Sequence, residues 1–189
     1  NVKKGNNNKK NLYAALDLGT NSCRMLIARP TGSRFEIVDA FSKSIRLGID
    51  LERTGQLSQA GITRALQALH VCAKKLNKFR VKNSRLVATE ACRRSKNGNS
   101  FLQKVKMETG LKLELIKPEE EARLAVISCA PLFDPKFSHV LIVDIGGGST
   151  ELVWMDLSEI SEENRIAEML KLRLDKKNNK EFQIEKLNT

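Results

Sequence analysis

The sequence predicts an α/β protein. Two observations carry that expectation. The chain opens on a meander of three apolar segments with turn signals between them. Segments of strand length then alternate with segments of helical period. A third observation bears on function: one turn design occurs twice. Asp17-Leu18-Gly19-Thr20-Asn21-Ser22 follows the apolar run from Leu12 to Leu16. Asp144-Ile145-Gly146-Gly147-Gly148-Ser149-Thr150 follows Val140 to Val143. Each reads as strand, carboxylate, glycine turn, hydroxyl, strand. Glycine permits a sharp turn and lets backbone N–H groups come close to an anion. An Asp such as Asp17 or Asp144 can hold a metal ion there, directly or through water.

The elements follow in order. Leu12 to Leu18 reads as a buried strand, Cys23 to Ala28 as a second and Phe35 to Phe41 as a third. Their short links, one of them Pro30-Thr31-Gly32-Ser33, imply antiparallel pairing. Lys43 to Gly55 is irregular. Ser58 is a good N-cap, and Ile62, Leu66, Leu69, Ala73 and Leu76 recur at helical spacing up to Phe79. Arg85 to Ala88 is a short strand, and Thr89 to Arg94 a polar connection. Asn99 or Ser100 caps a second helix bearing Phe101, Leu102 and Val105, with Gly110 as its C-cap. Leu111 to Ile116 alternates as a half-buried strand does.

Pro118 suits the first position of a third helix, and Glu119, Glu120 and Glu121 fill its first turn, where negative charge meets the positive helix end. Leu124, Val126 and Ile127 carry that helix to Cys129, and Pro131 stops it. His139 to Asp144 and Glu151 to Met155 are strands on either side of the second glycine turn. From Asp156 the character changes. Residues 157–189 read as a charged tail or insertion, helical around Ile166, Met169, Leu170 and Leu172, with a mobile polar tract at Lys176 to Lys180.

Composition bounds the partners. The 189 residues suffice for one large domain or two small ones, and a hydrophobic share of 41% supports a core. A net charge of +11 favours polyanions such as nucleic acid, acidic membrane or phosphate polymers, although solvated surface lysine accounts for it equally well. Part of the excess, Lys3, Lys4, Lys9 and Lys10, lies in an Asn-rich leader over residues 1–11 that reads as disordered. The four cysteines are far apart with no CxxC pair. Cys23 and Cys72 are most simply core thiols, and a reducing, cytoplasmic setting fits. No apolar run reaches the roughly 20 residues of a membrane span, and the leader has no apolar stretch of a signal peptide.

The candidates for chemistry stand at the turns and near them. Three glycines in succession weaken a strand unless something must approach closely, and Gly146, Gly147 and Gly148 stand between two apolar strands rather than in a linker. Arg93 and Arg94 offer planar forks for phosphate, yet from spacing alone they read as a solvated basic pair. One of Glu119 to Glu121 could orient or deprotonate a water, and Glu151 could join Asp144 in holding Mg²⁺. Both have plain structural readings as helix-start and strand-surface carboxylates. His70 and His139 are assigned to structure.

Three motifs occur in order: Asp17-Leu18-Gly19-Thr20-Asn21-Ser22, Pro118-Glu119-Glu120-Glu121-Ala122-Arg123 and Asp144-Ile145-Gly146-Gly147-Gly148-Ser149-Thr150-Glu151. Together they resemble the exopolyphosphatase / guanosine pentaphosphate phosphohydrolase (Ppx/GppA) family over about Leu12 to Met155. The glycine turns alone would mark only the wider actin, Hsp70 and sugar-kinase superfamily. The Glu121-Ala122-Arg123 segment, and Ala88-Thr89 followed by Arg93, narrow the resemblance.

The resemblance implies a ribonuclease-H-like domain with a mixed sheet flanked by helices over residues 12–156, with the family's second domain absent and one wall of the cleft missing. It implies Glu121 as the catalytic base. It implies Asp144 and Glu151, with Asp17, as ligands of Mg²⁺ or another divalent cation. Asn21, Ser22, Gly146, Gly147, Gly148 and Ser149 would cradle phosphate, and Arg93 would contact the polyphosphate chain. The expected activity is release of terminal phosphate from inorganic polyphosphate or guanosine pentaphosphate. Membrane and nucleic-acid partners are not expected, and a homodimer is compatible with a longer protein. The alternatives are an inactive polyanion-binding module and an actin-like ATPase or sugar kinase.

Overall fold

The computed structural model describes residues 11–32, 34–172 and 182–187. The first sheet begins with the expected meander. Strands β1 (Tyr13–Leu18), β2 (Ser22–Thr31) and β3 (Arg34–Ser44) pair antiparallel in sequence. Strand β4 (Asn83–Ala88) lies parallel on the other side of β1, and β5 (Glu114–Leu115) parallel beside β4. The order β3-β2-β1-β4-β5 is therefore a mixed sheet of ribonuclease-H-like arrangement. Strict alternation in β1 buries Ala14, Leu16 and Leu18 and turns Tyr13, Ala15 and Asp17 outward.

Helices cover the buried face. A short helix α1 (Leu51–Thr54) interrupts the segment read as irregular and ends on left-handed Gly55. The long helix α2 (Gln59–Lys78) starts as the sequence predicts, with the Ser58 hydroxyl accepting from the Gly61 N–H at 3.3 Å. Its buried stripe includes Ile62, Leu66, Leu69, Cys72 and Leu76. Cys23 and Cys72 are both free and buried in this core, and the hydrogen bond with Cys72, reinforced by burial, pushes the Cys23 thiol up. The polar connection after β4 is instead a helix, α3 (Glu90–Arg94). Helix α4 (Gly98–Thr109) starts earlier than Asn99 or Ser100. Its cap residue Asn97 uses its side chain to bond both backbone groups of Leu57, at 2.8 and 3.0 Å, tying α4 to the entry of α2. Gly110 closes α4 in the left-handed conformation. The strand expected over 111–116 pairs at only two residues, although Leu111, Leu113 and Ile116 are buried. That alternation marks burial, not ladder length.

The second sheet begins after Lys117. Helix α5 (Pro118–Cys129) has Pro at its first position and runs into a single 3₁₀ turn, Ala130–Leu132. Strands β6 (His139–Ile145) and β7 (Thr150–Asp156) form a hairpin, and β8 (Phe182–Leu187) pairs antiparallel with β7. Helix α6 (Glu162–Leu170) matches the expected helix, whereas the strand β8 is a departure from the charged tail read over 157–189. Residues 12–156, read as one unit on the sequence, are thus divided between two sheets. Their cores share no residue: one runs from Ala14 to Leu113, the other from Ala122 to Leu172. The leader at 1–10 and the tract at 176–180 lie outside the described residues.

Candidate functional site: a cleft between two glycine turns

The two turns close in the same way. The Gly19 N–H donates to the Ser22 carbonyl at 2.9 Å, and the Gly146 N–H to the Ser149 carbonyl at 2.8 Å. Neither uses a left-handed glycine. Among the described residues the positive-φ glycines are Gly32, Gly55 and Gly110. Space is what demands glycine here. A Cβ on Gly147 would stand 2.5 Å from Asn21 Nδ2, and one on Gly148 2.9 Å from Thr20 Oγ1. The second turn therefore rests against the side chains of the first. The loop after β3 pins the first turn from behind. The Asn21 carbonyl accepts from Ile45 (2.8 Å) and Arg46 (3.0 Å), and the Thr20 carbonyl from Gly48 (3.1 Å).

Between the turns lies a cleft of about 320 Å³. Both banks come from this chain. One bank is the 17–24 segment with Thr89 and Glu90, the other Glu121 and the 144–151 segment. Asn21, Ser22, Gly146, Gly147, Gly148, Ser149, Asp17, Asp144, Glu151 and Glu121 all line it. Strand register explains several of these positions. Asp17 pairs with Arg24 across β1 and β2, and Asp144 with Glu151 across β6 and β7, so each pair shares a face. The Glu121 position is set by Pro118, which fixes the start of α5 three residues earlier.

The cleft is crowded with carboxylates. Burial pushes Asp17 above the usual carboxylate range; Arg24 opposes this and Asp144 adds to it. Burial likewise pushes Glu121 up, opposed by Arg93 and reinforced by Glu151 and Asp17. A first-turn position was expected to favour the ionised form of Glu121; burial and neighbouring negative charge outweigh it. Its neighbour Glu120 behaves oppositely. Arg123 at 2.7 Å and Arg85 at 2.8 Å hold its carboxyl down at about 2. Glu120 is thus an ion-paired structural residue outside the cleft, and the sequence run Glu119 to Glu121 splits into distinct environments.

Arg93 does not line the cleft. Its Nη1 donates to the Ile116 carbonyl at 2.7 Å, its Nε to Glu90 at 3.1 Å, and its Nη2 to Glu90 and to Glu121, the latter at 3.1 Å. The side chain expected on the phosphate chain is engaged in holding Glu121. Arg94 pairs with Glu52 at 2.7 Å. Sequence reasoning missed Arg24, Thr89 and Glu90, all in the cleft. The period-2 spacing of Ser22 and Arg24 on one strand was the available signal for Arg24. His70 and His139 stand away from the cleft, beside Glu108 and Asp156 respectively.

A divalent cation was tested against this donor set. Among the described residues no three His, Cys, Asp or Glu side chains are grouped closely enough to hold a metal by themselves. Glu151 is 2% exposed, and among the described residues its Oε1 has no hydrogen-bond partner. A buried carboxylate oxygen without a partner is costly unless a cation or ordered water meets it. Hard oxygen ligands on two carboxylates, completed by water and phosphate, are what Mg²⁺ takes, so the residues fit. No helix among the described residues is long and apolar enough to cross a membrane.

Comparison with known proteins bears on the fold and the family. A solved Aquifex aeolicus member of the Ppx/GppA protein family is 32% identical over 94% of this chain, with a TM-score of 0.71. An exopolyphosphatase-like protein is 27% identical over 94%, with a TM-score of 0.75. An exopolyphosphatase from Cytophaga hutchinsonii, at 23% identity over 82% and a TM-score of 0.73, shares the fold. The chain spans about half the length of each, 51%, 50% and 53% respectively. The sequence model of the Ppx/GppA phosphatase family matches residues 26–172, past Met155, where the motif resemblance stops. The fold, the paired turns and that match together place this chain in the Ppx/GppA phosphatase family.

Proposed function

We propose that this chain carries the phosphate-holding and water-activating part of a phosphohydrolase that removes the terminal phosphoryl group of inorganic polyphosphate or guanosine pentaphosphate. The observation that carries this reading is the convergence of Glu121 with both glycine turns on one cleft. Phosphoryl transfer asks a protein chiefly for positioning and charge neutralisation. The residues of the two turns, with Ser22 and Ser149, line the space where phosphate oxygens would be held.

Glu121 would orient a water and accept its proton at a carboxylate oxygen. Burial pushes its pKa upward, the direction that makes a carboxylate a stronger base. Arg93, bonded to Glu121 and to buried Glu90, fixes the carboxylate's direction. Asp144 and Glu151, with Asp17 on the facing bank, would hold a divalent cation such as Mg²⁺. Such a cation, when bound, neutralises charge on phosphate oxygens.

Phosphate release from both substrates tests the reading. Glu121→Gln keeps the shape and the Arg93 contact but removes the base, and release is expected to fall by about 10²–10⁴-fold with substrate affinity retained. Release at the parent rate would refute the assignment. Retained binding with no release from the parent chain would favour a polyanion-binding module instead.

A further inference from the structure

The cleft continues past the first glycine turn. Thr20, Asn21 and Gly147 line the cleft and also wall a groove of about 420 Å³ with Ser44, Arg46 and Ile49. Beyond it lies a hollow of about 350 Å³ bounded by Ser44, Arg46, Ile49 and Arg64. Among the described residues neither is lined by an acidic side chain, whereas the cleft carries five carboxylates. The sign of the charge therefore reverses across Asn21.

Arg46 is held where it is at some conformational cost. Its φ is 46°, left-handed backbone that non-glycine residues rarely adopt. Three contacts over-determine it. Its N–H donates to the Asn21 carbonyl at 3.0 Å. Its own carbonyl accepts from Arg64 Nη2 at 3.1 Å, and Arg64 Nε donates to the preceding Ile45 carbonyl at 2.7 Å. Strain kept up in this way often accompanies a functional position. Among the described residues the Arg46 guanidinium has no ion-pair partner.

We propose that Arg46, with Arg64 behind it, forms a second phosphate subsite. It takes the phosphoryl groups next to the one held between the glycine turns. The inference rests on the reading of the cleft as a phosphate site. It adds a direction: the terminal group points into the carboxylate-rich end, and the rest of the condensed phosphate leaves over Asn21 toward Arg46. A guanidinium meets phosphate oxygens with a matched planar fork.

Calorimetric titration tests it, with orthophosphate, tripolyphosphate, long-chain polyphosphate and guanosine pentaphosphate as probes. Asn tolerates left-handed backbone, so Arg46→Asn is expected to keep the fold, with an unchanged thermal midpoint as the check. Arg34→Gln removes one charge at the far end of the β2–β3 hairpin and controls for net charge.

Arg46→Asn should weaken tripolyphosphate and long-chain polyphosphate about tenfold and leave orthophosphate unchanged. Arg46→Lys, which keeps the charge but not the fork, should lose less. A matching loss for guanosine pentaphosphate extends the subsite to nucleotide-borne phosphate; a loss confined to inorganic chains assigns it to them. Parent-like tripolyphosphate affinity in Arg46→Asn would overturn the subsite alone, as would an equal loss in Arg34→Gln or with orthophosphate. A parent chain that binds none of the four would overturn the cleft reading as well.

Discussion

The two banks of the cleft use the same turn and are supported very differently. The first turn sits on the larger core, and three backbone hydrogen bonds from the 45–48 loop hold it from behind. The second turn sits on the smaller core, in a sheet whose other face leaves Leu141, Val143, Ile145 and Trp154 well exposed. Their charges differ too. Arg24 and Arg46 stand with the first turn beside the carboxylates Asp17 and Glu90, whereas the second bank presents only carboxylates, Glu121, Asp144 and Glu151, among the described charged residues. On the proposed reading both turns serve the phosphate, and a cation would draw on both banks, Asp17 on the first and Asp144 and Glu151 on the second.

Mutations of the two cores should separate the banks most strongly. Leu69, fully buried on α2, belongs to the larger core. Leu69→Ala should cost about 4 kcal/mol by denaturant unfolding. Met155→Ala in the smaller core should cost about 2 kcal/mol, because a core with one uncovered sheet face relaxes more readily. If each substitution shifts its own unfolding step, the banks rest on separately cooperative cores; a single shared transition would show them to be one unit.

Much of this was legible in the sequence, and the gaps have physical causes. The β1 alternation, the Ser58 cap, the Gly110 stop and Pro118 are local signals, and each stands where the sequence puts it. Helix α3 was not legible, because Thr89 to Arg94 has too few residues to show a period. The break between the sheets leaves no mark beyond Lys117-Pro118, since it depends on which strands find each other. The alternation Phe182-Gln183-Ile184-Glu185 was available for β8 and was outweighed by the charge around it. At the site, the turns and Glu121 were readable as motifs. The contacts of Arg93 were not readable, since its fork fits carboxylates as well as phosphate, and the buried Glu90 one helical turn away engages it.

Two smaller effects distinguish adjacent carboxylates on the second bank. Glu120, held at about 2 by Arg123 and Arg85, is depressed. Its contribution is therefore present above the usual carboxylate range and is lost as the pH falls toward 2. Glu120→Gln should cost about 1 kcal/mol at neutral pH, with the difference from the parent vanishing in acid. Glu121 is raised, so its contribution is full at low pH and is lost as the pH rises through its folded value. Glu121→Gln should then stabilise the protein at neutral pH by about 0.5 kcal/mol, as relief of an active-site charge does. Thermal melts of both variants across pH check the opposite signs.

On the proposed reading, two copies of one turn, one from each sheet, meet to hold a single phosphate. Gly147→Ala tests it most directly, because the new Cβ would fall 2.5 Å from Asn21 Nδ2 and push the turns apart without touching either core. Tripolyphosphate titration of this variant should show binding weakened by tenfold or more, roughly the worth of one charge-assisted hydrogen bond, with the thermal midpoint within about 2 °C of the parent. Parent-like affinity in a folded Gly147→Ala protein would contradict the account.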